Sequence, residues 1–393
     1  MTQSGRLGVL ALAVAGLLAA CGGGSDGDTG PAHAPSDQTV EAAKVIVVGD
    51  SLADSGTFGY KFTVQGSDAQ GQSFLLWPEI VAGRYNGSTL CAHYRSSDDT
   101  MATYTEVADC RNYAVGGARV QPLDAKFQPV VSPLAIGEQL KQAAKQGFAK
   151  HDLLLADGGA NDVAALITAF IESVVASDYS GFLGMAGSLI DAQTLDTLVQ
   201  KGEAGIAEIG ALYMQKLGQQ MVAAVQREAL DQGAQRVVVL NIPDVTKTPR
   251  LMGVLELISL VVDKEKLAAL TQMFDSWTQA YNATLAQAWK QEARVVVSDF
   301  YTNLSHQVAN PAQYGYTNVS SAACAVLASV PDARLDLCTA ALLSANIPAG
   351  QTGANWWQSY MFSNTFHPSP LGYQLMGEFV WKDMADKGWS AAR

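Results

Sequence analysis

The sequence has few basic residues relative to its acidic ones. Its 393 residues include 25 lysines and arginines against 37 aspartates and glutamates, which gives a formal net charge of −12. This excess of negative charge disfavours non-specific attraction to nucleic acid or to an anionic membrane surface. We therefore expect no nucleic-acid partner, and no membrane attachment through a basic patch.

Cofactor motifs are also missing. The sequence contains neither a phosphate-binding loop nor a glycine-rich dinucleotide fingerprint. No cysteine lies near a histidine at the spacing typical of zinc ligands, which argues against a metal site. We expect a protein that works without a cofactor.

The apolar run near the start of the chain is short. Residues 7–20 are apolar and follow one basic residue, Arg6. A membrane-spanning helix needs about 20 apolar residues, so we interpret residues 1–20 as a secretory signal peptide. The end of the run, Leu18-Ala19-Ala20-Cys21, resembles a bacterial lipobox, which implies that Cys21 becomes a lipidated first residue. The alternative is simple cleavage before a free thiol at Cys21.

The next segment predicts a tether. Residues 21–43 begin with Cys21 and continue as a glycine-rich stretch of low hydrophobicity, which is typical of a flexible linker. Gly22 after the cysteine favours the outer membrane. We therefore expect an exported protein, lipid-anchored at the outer membrane or facing the periplasm or the cell surface, with one folded domain over residues 44–390.

The remaining cysteines agree with export. They are an even set, and disulfide bonds form in oxidising compartments; the set comprises Cys91, Cys110, Cys324 and Cys338. Sequence alone cannot choose among the three possible pairings. We expect local pairs, Cys91–Cys110 and Cys324–Cys338, because each pair lies within one predicted insertion. Four buried thiols are the alternative.

A serine follows the first predicted strand of the domain. The run Lys44-Val45-Ile46-Val47-Val48 predicts a short buried strand, and Gly49-Asp50-Ser51-Leu52 comes directly after it. The glycine permits a tight turn with close backbone approach. A helix beginning at Ser51 would point its N–H groups at an oxyanion. Taken alone, however, Ser51 is more simply explained as a helix cap.

Three further segments strengthen the case for Ser51. In chain order they are residues 112–118 with Gly116-Gly117, residues 158–162 with Asn161, and residues 367–372 with His367. The four segments together resemble the blocks of the SGNH (GDSL) hydrolase family. The stretches 49–56 and 315–319 are similar to its bacterial phospholipase/lecithinase/hemolysin-type esterase branch. The resemblance covers roughly residues 44–385.

The resemblance implies a role for each block residue. Ester hydrolysis through a covalent intermediate needs a nucleophile, a base and donors for the oxyanion. Ser51 would attack the ester carbonyl, and His367 would act as general base and then as general acid. The oxyanion hole would consist of the backbone N–H groups of Ser51 and Gly117 and the side-chain amide of Asn161.

One position departs from the family pattern. The family usually carries an aspartate three residues before the histidine, where this sequence has Asn364. Asparagine brings no negative charge, and its amide donor would favour the wrong histidine tautomer; the equivalent change in a serine protease costs about 10,000-fold in kcat. We expect a Ser–His dyad or an Asn-assisted site, with modest loss on Asn364→Ala. Another carboxylate in this role, or a weakened site, remains an alternative.

The order of elements predicts an α/β fold. Strand-like runs cover residues 45–48, 113–115, 153–156, 236–241 and 294–298, with helical stretches such as 204–232 and 264–292 between them. This alternation is typical of a parallel sheet covered on both faces. We expect the three-layer α/β/α, flavodoxin-like fold of SGNH hydrolases, with a central five-stranded parallel sheet and helical insertions. The blocks with Ser51, Gly117 and Asn161 fall at the carboxyl ends of strands, where such sheets bind ligands.

Two apolar insertions and the exact reaction stay open. Residues 163–183 and 251–270 are interpreted as buried core helices, with a lid or acyl-binding wall as the alternative.

The function expected from the resemblance is a carboxylic ester hydrolase (esterase or lipase-like) acting on a lipid, short-chain or aryl ester. The alternatives are an acyltransferase that uses the same acyl-enzyme, and a surface binding lipoprotein with a weakened site.

Overall fold

The computed structural model describes residues 43–390, and its strands are short. They run, in chain order, as β1 (Val45–Val48), β2 (Tyr94–Arg95), β3 (Thr105–Glu106), β4 (Leu153–Ala156), β5 (Val237–Leu240), β6 (Val295–Ser298), β7 (Asn318–Ala322) and β8 (Tyr360–Phe362). The predicted signal peptide, the predicted lipidation site at Cys21 and the predicted linker lie outside the described residues, apart from the last linker residue.

Helices account for most of the regular structure. They are α1 (Trp77–Asn86), α2 (Ile136–Ala144), α3 (Ala160–Ala176), α4 (Ser180–Gly187), α5 (Ala192–Val199), α6 (Glu203–Val225), α7 (Pro249–Ser259), α8 (Lys264–Ala288), α9 (Phe300–Ala309), α10 (Ala340–Ala345) and α11 (Pro370–Asp386). A π-helical turn, Gln226–Leu230, continues α6. No helix in this part of the chain is long and apolar enough to cross a membrane.

The central sheet is parallel, with strand order β1-β4-β5-β6. Every residue of β1, β4 and β5 is buried, as expected for strands covered on both faces. Side chains of β1 alternate between two cores: Ile46 and Val48 face one, and Val45 and Val47 face the other. Helices α2, α3, α6 and α8 cover the first face, whereas α1, α9 and α11 cover the second. This confirms the three-layer α/β/α fold.

The expected fifth strand of the central sheet, residues 113–115, was wrong. The segment runs beside β1: Val47 N donates to Arg111 O at 3.0 Å, Tyr113 N to Val47 O at 2.8 Å and Val115 N to Gly49 O at 3.1 Å. Its pairing with β1 is nevertheless an isolated bridge between Val47 and Asn112, not a regular strand. The Ala114 N–H, on the side away from β1, donates to the side-chain oxygen of Asn112 at 3.0 Å. The segment is thus an irregular edge beside β1, and the described central sheet has four strands.

The two apolar insertions differ from each other. Residues 163–183 lie mostly in α3 and α4, which pack into the first core as expected. Residues 251–270 do not form a buried helix, because Leu251 is the sole buried residue of α7. At the turn that follows α7, Leu260 is 77% and Val261 83% exposed. The core interpretation of this second insertion was therefore wrong.

A third cluster of buried side chains includes residues at the two-stranded sheet of β7 and β8. Strands β7 and β8 pair in parallel, and both expected disulfide bonds are present, Cys91–Cys110 and Cys324–Cys338. The second bond closes a loop whose ends pack with Trp356 and Trp357 in this cluster. The loop therefore lies next to the segment that follows β8, which carries His367.

Candidate active site

Ser51 lies at the carboxyl edge of the central sheet, two residues beyond the glycine that follows β1. A side chain on that glycine, Gly49, would place its Cβ 2.1 Å from Oδ1 of Asp157, so only glycine fits there. The chain then makes one turn, in which Asp54 N donates to Asp50 O at 3.1 Å. No helix begins at Ser51, which corrects that expectation.

Ser51 and His367 are in direct contact. The serine Oγ lies 2.7 Å from Nε2 of His367, although 316 positions separate the two residues in the chain. His367 lies in the turn between β8 and α11, and Ser363 N donates to the His367 carbonyl at 2.8 Å to close that turn. The pair has the distance and atom types that a nucleophile and its general base require.

Asn364 is oriented by its neighbours. Its side-chain oxygen accepts from the backbone N–H groups of Phe366 at 3.0 Å and His367 at 2.7 Å, and its amide nitrogen donates to the Asp332 carbonyl at 2.9 Å. Rotating the amide would turn all three contacts into repulsive ones. The oxygen therefore also faces Nδ1 of His367, at 3.0 Å.

This orientation assigns the histidine tautomer. Because the Asn364 oxygen can only accept, Nδ1 of His367 must carry the proton. The other ring nitrogen, Nε2, is then free to accept the proton of Ser51 Oγ. The wrong-tautomer problem that an asparagine raises in sequence is thus avoided by the backbone contacts around Asn364.

The surroundings of His367 favour its neutral form. Burial lowers the pKa of the imidazole to about 4, the Asp332 carboxylate works against this shift, and Arg250 adds to it. The Phe62 ring lies 5.1 Å from the imidazole, centroid to centroid, and the Phe366 ring lies at 5.7 Å. These apolar rings provide little solvation for an imidazolium.

The expected oxyanion donors lie at one edge of the sheet. Within residues 43–390, the backbone N–H groups of Ser51 and Gly117 make no hydrogen bond. Gly117 has a φ of +83°, which favours glycine. The amide of Asn161 donates to the Ala118 carbonyl at 3.0 Å and keeps a second N–H. Two free backbone donors and this amide are the groups that an oxyanion hole needs.

Two aspartates that the sequence analysis missed hold these loops together. Asp54 accepts from Gly116 N at 2.9 Å as well as from Gly56 and Thr57. Asp162 accepts from Val120 N at 2.9 Å and from Gln121 N at 3.1 Å. Both aspartates lie inside the recognised blocks, and that position was the one sequence signal for them.

A pair of buried acids lies beneath Ser51. Asp157 accepts from Asp50 N at 2.8 Å, and Oδ2 of Asp50 is buried without a hydrogen-bond partner. Burial raises the pKa of Asp50 to about 7, and burial together with the charge of Asp50 raises the pKa of Asp157. At least one of the two carboxyl groups therefore retains a proton well above the usual range.

Among the described residues, no group of three or more histidine, cysteine, aspartate and glutamate side chains is arranged to hold a metal ion. The candidate site consists of Ser51, His367, Asn364 and the donors of the oxyanion edge.

A comparison with protein-family models identifies the family of the chain. Residues 45–380 match the model of the GDSL-like Lipase/Acylhydrolase family. The chain belongs to this family, whose general activity is the hydrolysis of ester bonds. No curated protein matched the sequence.

Proposed function

We propose that the protein is a serine carboxylic ester hydrolase that acts through an acyl-enzyme on Ser51. The observation that carries this proposal is the 2.7 Å contact between Ser51 Oγ and Nε2 of His367. The protonated Nδ1 faces Asn364, so the imidazole presents its basic nitrogen to the serine.

The mechanism follows from these contacts. Ser51 Oγ attacks the ester carbonyl while its proton moves to Nε2 of His367. The N–H groups of Ser51 and Gly117 and the amide of Asn161 stabilise the developing oxyanion. The tetrahedral intermediate collapses, and the alcohol leaves with the proton from Nε2. A water molecule then attacks the acyl-enzyme with His367 again as base. The acyl–Oγ bond breaks, the carboxylic acid leaves, and the proton on Nε2 returns to Ser51 Oγ.

The substrate lies in the range of the family branch that the sequence resembles. We assign the protein to the phospholipase/lecithinase/hemolysin-type esterases, with a lipid, short-chain or aryl ester as substrate. Tyr316, in the stretch that resembles this branch, is buried, and its hydroxyl lies 3.0 Å from Gln307 Oε1. The residue thus supports the fold next to β7.

The test is hydrolysis of p-nitrophenyl esters from acetate to palmitate by the full chain and its Ser51→Ala variant. We expect turnover that falls by about 10,000-fold or more in the variant, with the optimum chain length reporting the depth of the acyl site. An alkyl fluorophosphonate should label the wild type at Ser51 only. Equal turnover by two folded proteins would contradict the proposal.

We further propose that the protein is exported and lipid-anchored through Cys21. Two disulfide bonds in the folded domain support an oxidising compartment. Metabolic labelling with palmitate in a bacterial host should tag the wild-type chain and leave the Cys21→Ser variant unlabelled. Labelling of both chains, or of neither, would contradict lipidation at Cys21.

A further inference from the structure

The Ser51–His367 pair lacks a carboxylate in the usual place but has one nearby on another segment. Asp332 lies in the loop that the Cys324–Cys338 disulfide closes. Its backbone carbonyl accepts from the Asn364 amide at 2.9 Å, and its carboxylate accepts from Thr365 N at 2.9 Å and Thr365 Oγ1 at 2.6 Å. One residue of the loop therefore holds two consecutive residues of the histidine turn.

We propose that Asp332 is a positioning residue for His367, and that its carboxylate supplies from the disulfide-closed loop the negative charge that Asn364 lacks. The inference rests on the proposed function. The backbone carbonyl of Asp332 fixes the amide of Asn364, and through it the proton on Nδ1. The carboxylate stabilises the imidazolium that forms when Ser51 gives up its proton.

The charges around His367 support this assignment. The Asp332 carboxylate raises the pKa of His367, whereas the positive charge of Arg250, at the start of α7, lowers it. Arg250 is tied to the same turn, since its backbone N–H donates to the Thr365 carbonyl at 2.8 Å and its guanidinium lies 5.7 Å from the Phe366 ring. The Asp332 carboxylate thus opposes the decrease in the pKa of His367 that burial and Arg250 cause.

The loop is held in place from both ends. At one end, Cys324 N donates to the Ser363 carbonyl at 2.8 Å, directly before Asn364. At the other, Gln65 N donates to the Cys338 carbonyl at 2.8 Å. The disulfide joins these two anchored ends, so the position of Asp332 is coupled to the histidine turn.

Asp332→Asn is the decisive variant, because it removes the charge and keeps an oxygen that can accept from Thr365 N. Asp336→Asn is the matched control in the same loop, where Asp336 pairs with Arg334 at 2.6 Å. We expect Asp332→Asn to lower kcat by about fivefold and to shift the acid limb of kcat/KM down by about half a pH unit, with KM unchanged. Asp336→Asn should match the wild type.

Salt gives a second readout. Asp332 is exposed, so its effect on the imidazolium should shrink as ionic strength rises, and the difference between wild type and Asp332→Asn should narrow in 1 M salt. An unchanged profile in Asp332→Asn, or an equal shift in Asp336→Asn, would overturn the proposal.

Two measurements separate this inference from the proposed function. If the wild type shows no Ser51-dependent turnover, the proposed function fails, and an NMR titration of the His367 ring in wild type and Asp332→Asn still tests the charge of Asp332. If Asp332→Asn does not fold, Asp332→Ser removes the charge with a smaller side chain. A His367 titration that is the same with and without the carboxylate would count against the proposal.

Discussion

The amide oxygen of Asn364 lies 3.0 Å from Nδ1 of His367, and three backbone contacts prevent that amide from rotating. Orientation and charge, which one aspartate usually provides together, are therefore separated at this site. Asn364 sets the tautomer, but a neutral amide does little to stabilise an imidazolium. This separation makes distinct predictions for the two roles.

The first prediction concerns Asn364→Asp. A carboxylate at this position loses the hydrogen bond to the Asp332 carbonyl but still accepts from the two backbone N–H groups and Nδ1. Its charge raises the pKa of His367 from about 4. We expect the acid limb of the kcat/KM profile to move up by about one pH unit or more, with kcat at pH 8 increased. The pH profile measures both effects.

The control for that prediction is Asn364→Ala. It leaves Nδ1 and two backbone N–H groups without their acceptor, so we expect kcat to fall by roughly 10- to 100-fold. If Asn364→Asp and the wild type share one acid limb, then the charge next to Nδ1 is not what sets the basicity of His367.

The second prediction is activity at unusually low pH. Because burial lowers the pKa of His367 to about 4, the free enzyme should keep the base neutral from pH 5 upward. The stability sign follows from the same shift: the unfolded chain binds more protons between about 4 and 6.5, so this histidine lowers the free energy of unfolding as the pH falls through that range. Measuring kcat/KM from pH 3.5 to 8 checks the predicted activity at low pH, and an acid limb at 6.5 would contradict that prediction.

Much of the site was predictable because its residues sit in short blocks at strand ends. Ser51, Gly117 and Asn161 follow buried strands or strand-like segments, and the parallel sheet brings these ends to one edge. The contact between Ser51 and His367 was predicted from the family blocks alone. The helices and strands between the two residues do not indicate how far apart they lie.

What the sequence could not predict depends on contacts between distant segments. The orientation of Asn364 requires the carbonyl of Asp332, which lies 32 positions away in a loop without a recognised motif. The irregular pairing of residues 113–115 with β1 has no signal in the sequence, and the exposed turn after α7 is as apolar as a core segment. In each case contacts between distant segments determine the structure, and the local sequence pattern does not indicate it.

The third prediction concerns the oxyanion edge. Asn161→Ala removes a donor, which typically costs about 100- to 1000-fold in kcat with a smaller change in KM. It also removes the bond to the Ala118 carbonyl, so Asp162→Ala serves as a comparison, because it frees the same loop at Val120 and Gln121. A loss in kcat for Asn161→Ala that is no larger than that for Asp162→Ala would mean that loop position, not the amide donor, accounts for the effect.

The fourth prediction concerns the acid pair beneath Ser51. The pKa of Asp50 is raised from 3.8 to about 7, so the folded state binds the extra proton between these values, and the free energy of unfolding decreases as the pH rises through this window. The loss is at most about 4 kcal/mol. Asp50→Asn cannot titrate and also relieves the like charge on Asp157.

Urea denaturation at pH 5 and pH 8 measures this difference. We expect the wild type to lose more stability than Asp50→Asn between the two values. Asp124→Asn, at an exposed turn whose backbone contacts stay local, is the control and should follow the wild type. Parallel stability curves for wild type and Asp50→Asn would show that the buried pair does not take up a proton on folding.

The fifth prediction compares the two disulfide bonds, which close loops of similar length with sequence separations of 19 and 14. Removing either one by double Cys→Ser substitution should lower the free energy of unfolding by about 3 kcal/mol. Only loss of Cys324–Cys338 should also lower kcat under conditions where both variants remain folded, because that loop carries the Asp332 carbonyl that orients Asn364. Ester turnover and thermal unfolding, measured on the same samples, separate the two effects; an equal loss of kcat in both double variants would assign it to general destabilisation.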